Sequence, residues 1–309
     1  MNRIAFLFPG QGSQKVGMGR EFYKNFDFAK RIFHRADEVL EYPISKLCFE
    51  GPEDELKLTY NTQPALLIVS YIAFLALNIK PSISAGHSLG EYSALLCAGS
   101  LNFEDALKLV YKRGVFMQEA VSPEKGAMAA LIGVEGKKVE EILSNMGEGI
   151  VEIANWNSYE QIVISGEKLA VEKAVEKIKA PKAVYLPVSA PFHCSMMIQA
   201  EEKLKIEFGS VLFKDPQFPV VTNVDAEKIF KAEKARNALK RQVTKPVLWV
   251  QSMELMLEEA EIFVELGSGK VLSGLTKRIS KMKGKEVEIY NVEDMESLSQ
   301  VKKSLSSTT

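Results

Sequence analysis

The stretch at residues 85–99, AGHSLGEYSALLCAG, constrains the fold more than any other. An apolar run ends in a Gly-x-Ser-x-Gly turn. A segment rich in Ala and Leu, with helical spacing, follows at once. This is the strand–turn–helix setting of a nucleophile elbow. A short, fully apolar strand of this kind needs partners on both edges and cover on both faces. Four further runs supply partners: IAFLF (4–8), FPVVT (218–222), IFVEL (262–266) and VEIYN (287–291), beside SISAG (82–86) itself. Helical patterns separate them at 20–41, 64–79, 89–98, 103–120, 195–208, 247–260 and 270–281. Buried strands alternating with helices predict an α/β fold, a hydrolase-like, mostly parallel sheet with helices on both faces.

Residues 126–188 follow another rhythm. AMAALIGV reads as a strand and KKVEEILSNM as a helix. IVEIANW and QIVIS read as two strands joined by a turn around Asn157 and Ser158. AVEKAVEKIK is a helical pattern and KAVYLPV a last strand. The order β-α-β-β-α-β is that of a ferredoxin-like split unit. The expected organisation is a large domain of residues 1–125 and 189–309, interrupted by a small subdomain at 126–188. The tail SLSSTT is expected to fray.

With 309 residues, 46% of them hydrophobic and 26% charged, the chain can bury a substantial core. Lysine and arginine (39) balance aspartate and glutamate (40), a net charge of −1 that argues against a dedicated nucleic-acid binder. Cys48, Cys97 and Cys194 are odd in number and form no Cys-x-x-Cys, so neither a disulfide framework nor a zinc site is indicated. A reducing cytoplasm is the expected location. The run 64–79 is shorter than a bilayer span and carries Ser, Tyr and Asn, so it reads as a buried helix.

Ser88 is the candidate nucleophile; the alternative is a capping serine in a tight turn. As a nucleophile it could use the N–H of Leu89, at the helix start, to face an oxyanion. It also needs a base, since a serine hydroxyl is weak until activated. His34 lies on a charged helix. His87 precedes the serine, and neighbouring side chains at a strand end point to opposite faces. His193, in the Pro-marked loop SAPFHCSMM, remains by elimination. Arg113 shares a helix face with Ala106, Leu109, Val110 and Met117. It either snorkels or pairs with a glutamate elsewhere in the fold, or, beside a nucleophilic Ser88, holds a substrate carboxylate. Cys194, without an elbow of its own, reads as structural. Neither FPGQGSQKVGMG (8–19) nor ELGSGKVLSG (265–274) meets a nucleotide-binding pattern, because Lys15, Val264 and Val271 stand where the motifs need other residues.

FPGQGSQ after the first strand, TQPAL (62–66), GHSLGEYSAL (86–95), Arg113, PVSAPFHC (187–194) and FVELGSGKVLSGL (263–275) together resemble the malonyl-CoA:acyl carrier protein transacylases of type II fatty acid synthesis. The resemblance covers nearly the whole chain. It implies a malonyl transfer from malonyl-CoA to the phosphopantetheine thiol of holo acyl carrier protein, with no metal and no bound cofactor. Ser88 would be acylated, and His193 would act as base and then acid. The amides of Gln11 and Leu89 would form the oxyanion hole, and Arg113 would hold the malonyl carboxylate. The backbone carbonyl of Gln242 would orient the histidine in place of an acid. Gln63, Met117, Asn155, Asn157 and Phe192 would line the substrate site. In related polyketide domains Phe before the histidine accompanies malonyl selection, which Phe192 matches. The expected partners exclude nucleic acid and membrane, and a monomer is expected. Two rivals share part of this pattern: a serine hydrolase, which normally carries its histidine near the chain end, and a non-catalytic scaffold for carrier protein.

Overall fold

The computed structural model describes residues 3–122, 124–188 and 190–306. Among the described residues ten strands occur in chain order: β1 (Ile4–Phe8), β2 (Ile83–Gly86), β3 (Gly126–Ile132), β4 (Val151–Ser158), β5 (Gln161–Glu167), β6 (Lys182–Tyr185), β7 (Val220–Val221), β8 (Lys228–Ile229), β9 (Ile262–Leu266) and β10 (Glu288–Val292). Six form one sheet in the order β10-β9-β1-β2-β7-β8. Every pairing in it is parallel except β7 with the edge strand β8. The expected mostly parallel α/β sheet is what the chain forms.

Alternation along β1 shows why both faces are covered. Phe6 and Phe8 point into one core, among residues of the helices Thr59–Leu77 and Phe103–Glu119. Ala5 and Leu7 point into a second core, with Trp249, Met253 and Met256 of the helix Trp249–Leu257 and with Leu272, Leu275 and Ile279 of Val271–Met282. The helix Thr59–Leu77 is long and apolar enough to cross a membrane, yet 78% of its apolar window is buried within the fold. It is a core helix, and it starts five residues before the expected Pro64. Asn61 Nδ2 on Glu55 O (2.9 Å) and Thr62 Oγ1 on Leu56 O (2.5 Å) hold its first turn to the preceding chain.

Other boundaries differ from expectation. The run 218–222 shrinks to Val220–Val221, because Pro219 lacks an N–H and the chain reverses where Ala226 N bonds Thr222 O (3.0 Å). The pattern at 20–41 splits at Phe26, which is extended, into Arg20–Asn25 and Asp27–Leu40. The helix Ala232–Gln242 had no strong apolar stripe to announce it; it buries only Ala235, Ala238, Leu239 and Gln242. Of the tail expected to fray, residues 304–306 close the helix Met295–Ser306, and 307–309 lie outside the described residues.

The strands of residues 126–188 form a second sheet, order β4-β5-β3-β6, antiparallel throughout. Helices Gly136–Ser144 and Lys168–Ile178 join β3 to β4 and β5 to β6. The hairpin turn is at Tyr159 and Glu160, not at Asn157 and Ser158, because β4 continues through a register shift to pair Ser158 with Gln161. Ala129 and Leu131 of β3 pack on this unit's own helices, while Met128 and Ala130 pack into the large core. β4 also joins the large sheet's side of the molecule: Val247 N donates to Ala154 O (2.8 Å) and Trp156 N to Val247 O (2.9 Å). The expected boundary residue Ser189 lies outside the described residues.

Candidate active site

Strands β1 and β2 pair with Phe8 opposite Gly86, so their following loops leave the sheet side by side. The crowding there demands glycine. A Cβ on Gly86 would lie 1.8 Å from the carbonyl carbon of Gly90, and one on Gly90 would lie 2.0 Å from Phe8 O. Ser88 stands between them at φ 52°, ψ −108°, a conformation that L residues rarely adopt. Such strain costs on the order of 1–3 kcal/mol and persists only where the surroundings enforce it. Here Asn223, just beyond β7, enforces it. Asn223 Oδ1 accepts from Ser88 N (2.7 Å), and Asn223 Nδ2 donates to Gly86 O (2.7 Å).

The turn presents Ser88 Oγ to His193 Nε2 at 2.7 Å. His193 is buried and also lies at positive φ (58°). Its Nδ1 faces the carbonyls of Gln242 (2.8 Å) and Lys245 (3.2 Å). A carbonyl only accepts, so the proton sits on Nδ1 and the Nε2 lone pair faces the serine. Burial first, and the Arg113 guanidinium next, push the His193 pKa down to about 3. The imidazole is therefore neutral and able to accept a proton at physiological pH.

Arg113 is 1% exposed. Its Nη2 donates to Ser88 Oγ (3.0 Å) and to Gln242 Oε1 (3.0 Å), and its Nη1 donates to Gln63 Oε1 (2.8 Å). Its guanidinium carbon lies 5.5 Å from the centre of the Tyr92 ring. Gln63 Nε2 contacts Met117 Sδ at 3.7 Å. Of the two readings open for Arg113, the structure shows no snorkelling; its charge is held inside, against the serine.

The other residues named from the sequence fall as follows. Leu89 opens the helix Leu89–Cys97, so its N–H has no intrahelical acceptor. Gln11 lies in the loop after β1, next to Gly10, where an added Cβ would lie 2.5 Å from His87 O; the Gln11 side chain donates to Thr59 Oγ1 (3.4 Å). Phe192 and Asn155 are buried, Asn155 on β4 where that strand bridges to Val247. Asn157 Oδ1 meets His87 Nε2 at 2.8 Å, and the His87 ring packs on Trp249. His34 is exposed beside Tyr23. Cys194 is buried, its thiol donates to Pro191 O (3.1 Å), and burial pushes its pKa up to about 11. At the 265–274 stretch, Glu265 of β9 caps the helix Val271–Met282 by accepting from Leu272 N (3.0 Å) and Ser273 N (2.7 Å), so the place a phosphate would take is filled.

Sequence reasoning missed Asn223 and the role of Glu91. Both lie at the carboxyl ends of β7 and β2, the edge where open parallel sheets place their chemistry. That edge was the available signal. Glu91 is fully buried, and burial pushes its pKa up to about 7 against the pull of its hydrogen bonds from Asn223 and Gln242.

A half-buried serine paired with a buried histidine, beside a buried cation, can perform acyl transfer on an anionic acyl group. Comparison with known proteins agrees with that chemistry. Residues 5–299 match the acyl transferase domain family. The chain is 46% identical over 290 residues to the malonyl CoA-acyl carrier protein transacylase of Bacillus subtilis, covering 91% of this chain and 92% of that one. It superposes with a TM-score of 0.94 on the crystal structure of such a transacylase from Clostridium perfringens, at 45% identity, covering 99% and 98% of the two chains. A third similar structure, at 41% identity and TM-score 0.94, covers 98% of this chain and 99% of that one; it is a malonyl transacylase in complex with a type II polyketide acyl carrier protein.

Proposed function

The chain belongs to the malonyl CoA-acyl carrier protein transacylase family of acyltransferases, and from that premise we propose that it moves malonyl from CoA to holo acyl carrier protein through an acyl-serine. The observation that carries the reading is Arg113 Nη2 at 3.0 Å from the hydroxyl of a strained, histidine-paired serine. Neutral His193 takes the Ser88 proton as the oxygen attacks the thioester carbonyl. The amides of Leu89 and Gln11 receive the oxyanion, each donor being worth about 10²–10³ in rate. The tetrahedral adduct collapses, the C–S bond breaks, and His193 returns the proton to the CoA thiolate. A phosphopantetheine thiol on the carrier then gives its proton to His193, attacks the malonyl ester and restores Ser88.

Arg113 supplies selectivity. A malonyl carboxylate meets its guanidinium fork, while acetyl leaves that buried charge without an anionic substrate partner. Gln63, Met117 and Phe192 shape the space beside it, and Asn155 and Asn157 of β4 form the wall toward the thioester arm. We read the 126–188 unit as a ferredoxin-like insert, supported by its strand order. A neutral-ester hydrolase would have no use for a buried arginine at the nucleophile. Initial velocities with malonyl-CoA and holo carrier protein both varied should give parallel reciprocal plots. Intersecting plots would mean direct transfer within a ternary complex and would end the acyl-serine reading.

A further inference from the structure

Glu91 holds the polar layer beneath the site through one atom. Its Oε2 accepts from Gln242 Nε2 (2.7 Å) and from Asn223 N (3.0 Å). Its Oε1 is buried without a partner. Both residues that it grips act on the reacting groups. Gln242 Oε1 accepts from Arg113 Nη2, and Asn223 Oδ1 accepts from Ser88 N. A guanidinium only donates and a carboxylate on this oxygen only accepts. Gln242 between them has one workable orientation, nitrogen toward Glu91 and oxygen toward Arg113. Gln242 Nε2 also reaches Ser88 O (3.0 Å) and Asn223 Oδ1 (3.2 Å), so its two hydrogens are shared among three acceptors, of which Glu91 is the nearest.

We propose that Glu91 is a positioning residue for malonyl selection: its buried oxygen fixes the Gln242 amide, which in turn sets the Arg113 fork that takes the substrate carboxylate. Glu91 touches no reacting atom. It acts at one remove on Arg113 and, through Asn223, on the serine turn. Oε1 makes no hydrogen bond, so the relay to Gln242 and Asn223 runs through Oε2 alone. What the relay requires of the group is that acceptor. This inference rests on the malonyl reading of the site.

Two variants test it. Glu91→Gln keeps an acceptor for Gln242 and Asn223; Glu91→Met keeps the bulk and removes the acceptor. Both are compared with the unaltered enzyme for the loading of malonyl-CoA and of acetyl-CoA, with folding checked by thermal melting. Glu91→Met is expected to raise the KM for malonyl-CoA about tenfold and to cut the malonyl-over-acetyl preference by a similar factor, with a smaller change in kcat. Glu91→Gln is expected to keep that preference within about threefold of the unaltered enzyme. A folded Glu91→Met enzyme with unchanged preference would overturn the proposal. So would equal losses on malonyl and acetyl, which mark a merely structural residue. If Glu91→Met does not fold, Glu91→Gln decides alone: kept preference supports the acceptor role, and lost preference overturns it. Should the unaltered enzyme fail to load malonyl at all, the functional reading falls and the relay with it, an outcome distinct from a failure confined to the variants.

Discussion

The two sheets of this chain meet the site in different ways. The six-stranded sheet brings its residues there through backbone crowding and buried hydrogen bonds. Ser88, Asn223 and Glu91 all follow the ends of β2 and β7, and Glu91 and Gln242 are fully buried. The four-stranded sheet is looser. One face carries its own two helices, its edge strand β6 is exposed along its length, and β4 touches the large domain where Asn155 bridges to Val247 and Asn157 meets His87. The difference teaches where tolerance lies. The strained serine and the buried glutamate sit just past the parallel sheet's crowded edge, while the antiparallel unit touches that region from the side through β4.

That contrast can be broken or sharpened by substitution. The largest effect should come from His193→Ala, with acylation by malonyl-CoA slowed about 10²–10⁴-fold in stopped-flow loading. The same residue sets the pH response. With its pKa held down to about 3, the imidazole stays neutral, so loading should remain level from about pH 5 to pH 8 instead of halving near the usual histidine value. A fall centred near pH 6.5 would show that the base is more exposed than the structure has it. Arg113→Ala should follow, reducing malonyl loading about 10²-fold while acetyl loading changes little, read from competition between the two thioesters. The smallest effects should separate the two sheets by stability alone. Gly90→Ala drives a Cβ against Phe8 O at 2.0 Å and should cost about 3 kcal/mol in chemical denaturation. Gly147→Ala, in the small unit with nothing within 4 Å of the added carbon, should shift stability by less than about 0.5 kcal/mol.

Much of this was legible in the sequence. Ser88 announced itself because a strand, two glycines and a helix leave a serine few other places to be. His193 followed from the shortage of histidines. Arg113 stood out as a cation on an apolar helix face, although its partner did not. Gln63, which takes its Nη1, lies fifty residues earlier and meets it only because the helices Thr59–Leu77 and Phe103–Glu119 pack together. Asn223 was harder to read for a related reason: the strand before it is two residues long, so only its place past a strand's carboxyl end marked it, and nothing local says that this strand lies beside β2. Glu91 shows no task in the sequence, because a glutamate in the first turn of a helix is ordinarily a dipole partner. Only burial distinguishes it. The turn at 159–160 was misplaced because a register shift lengthens β4, and shifts of that kind leave no compositional mark.

The central claim is that Ser88 carries the acyl group. It is tested most directly by intact-mass measurement of the enzyme mixed with malonyl-CoA and then with holo acyl carrier protein. The account predicts one malonyl-sized adduct, mapped to Ser88, absent from Ser88→Ala, and passed to the carrier when it is added. An adduct that forms equally on Ser88→Ala, or one that decays to free malonate at the same rate with and without carrier, would contradict it.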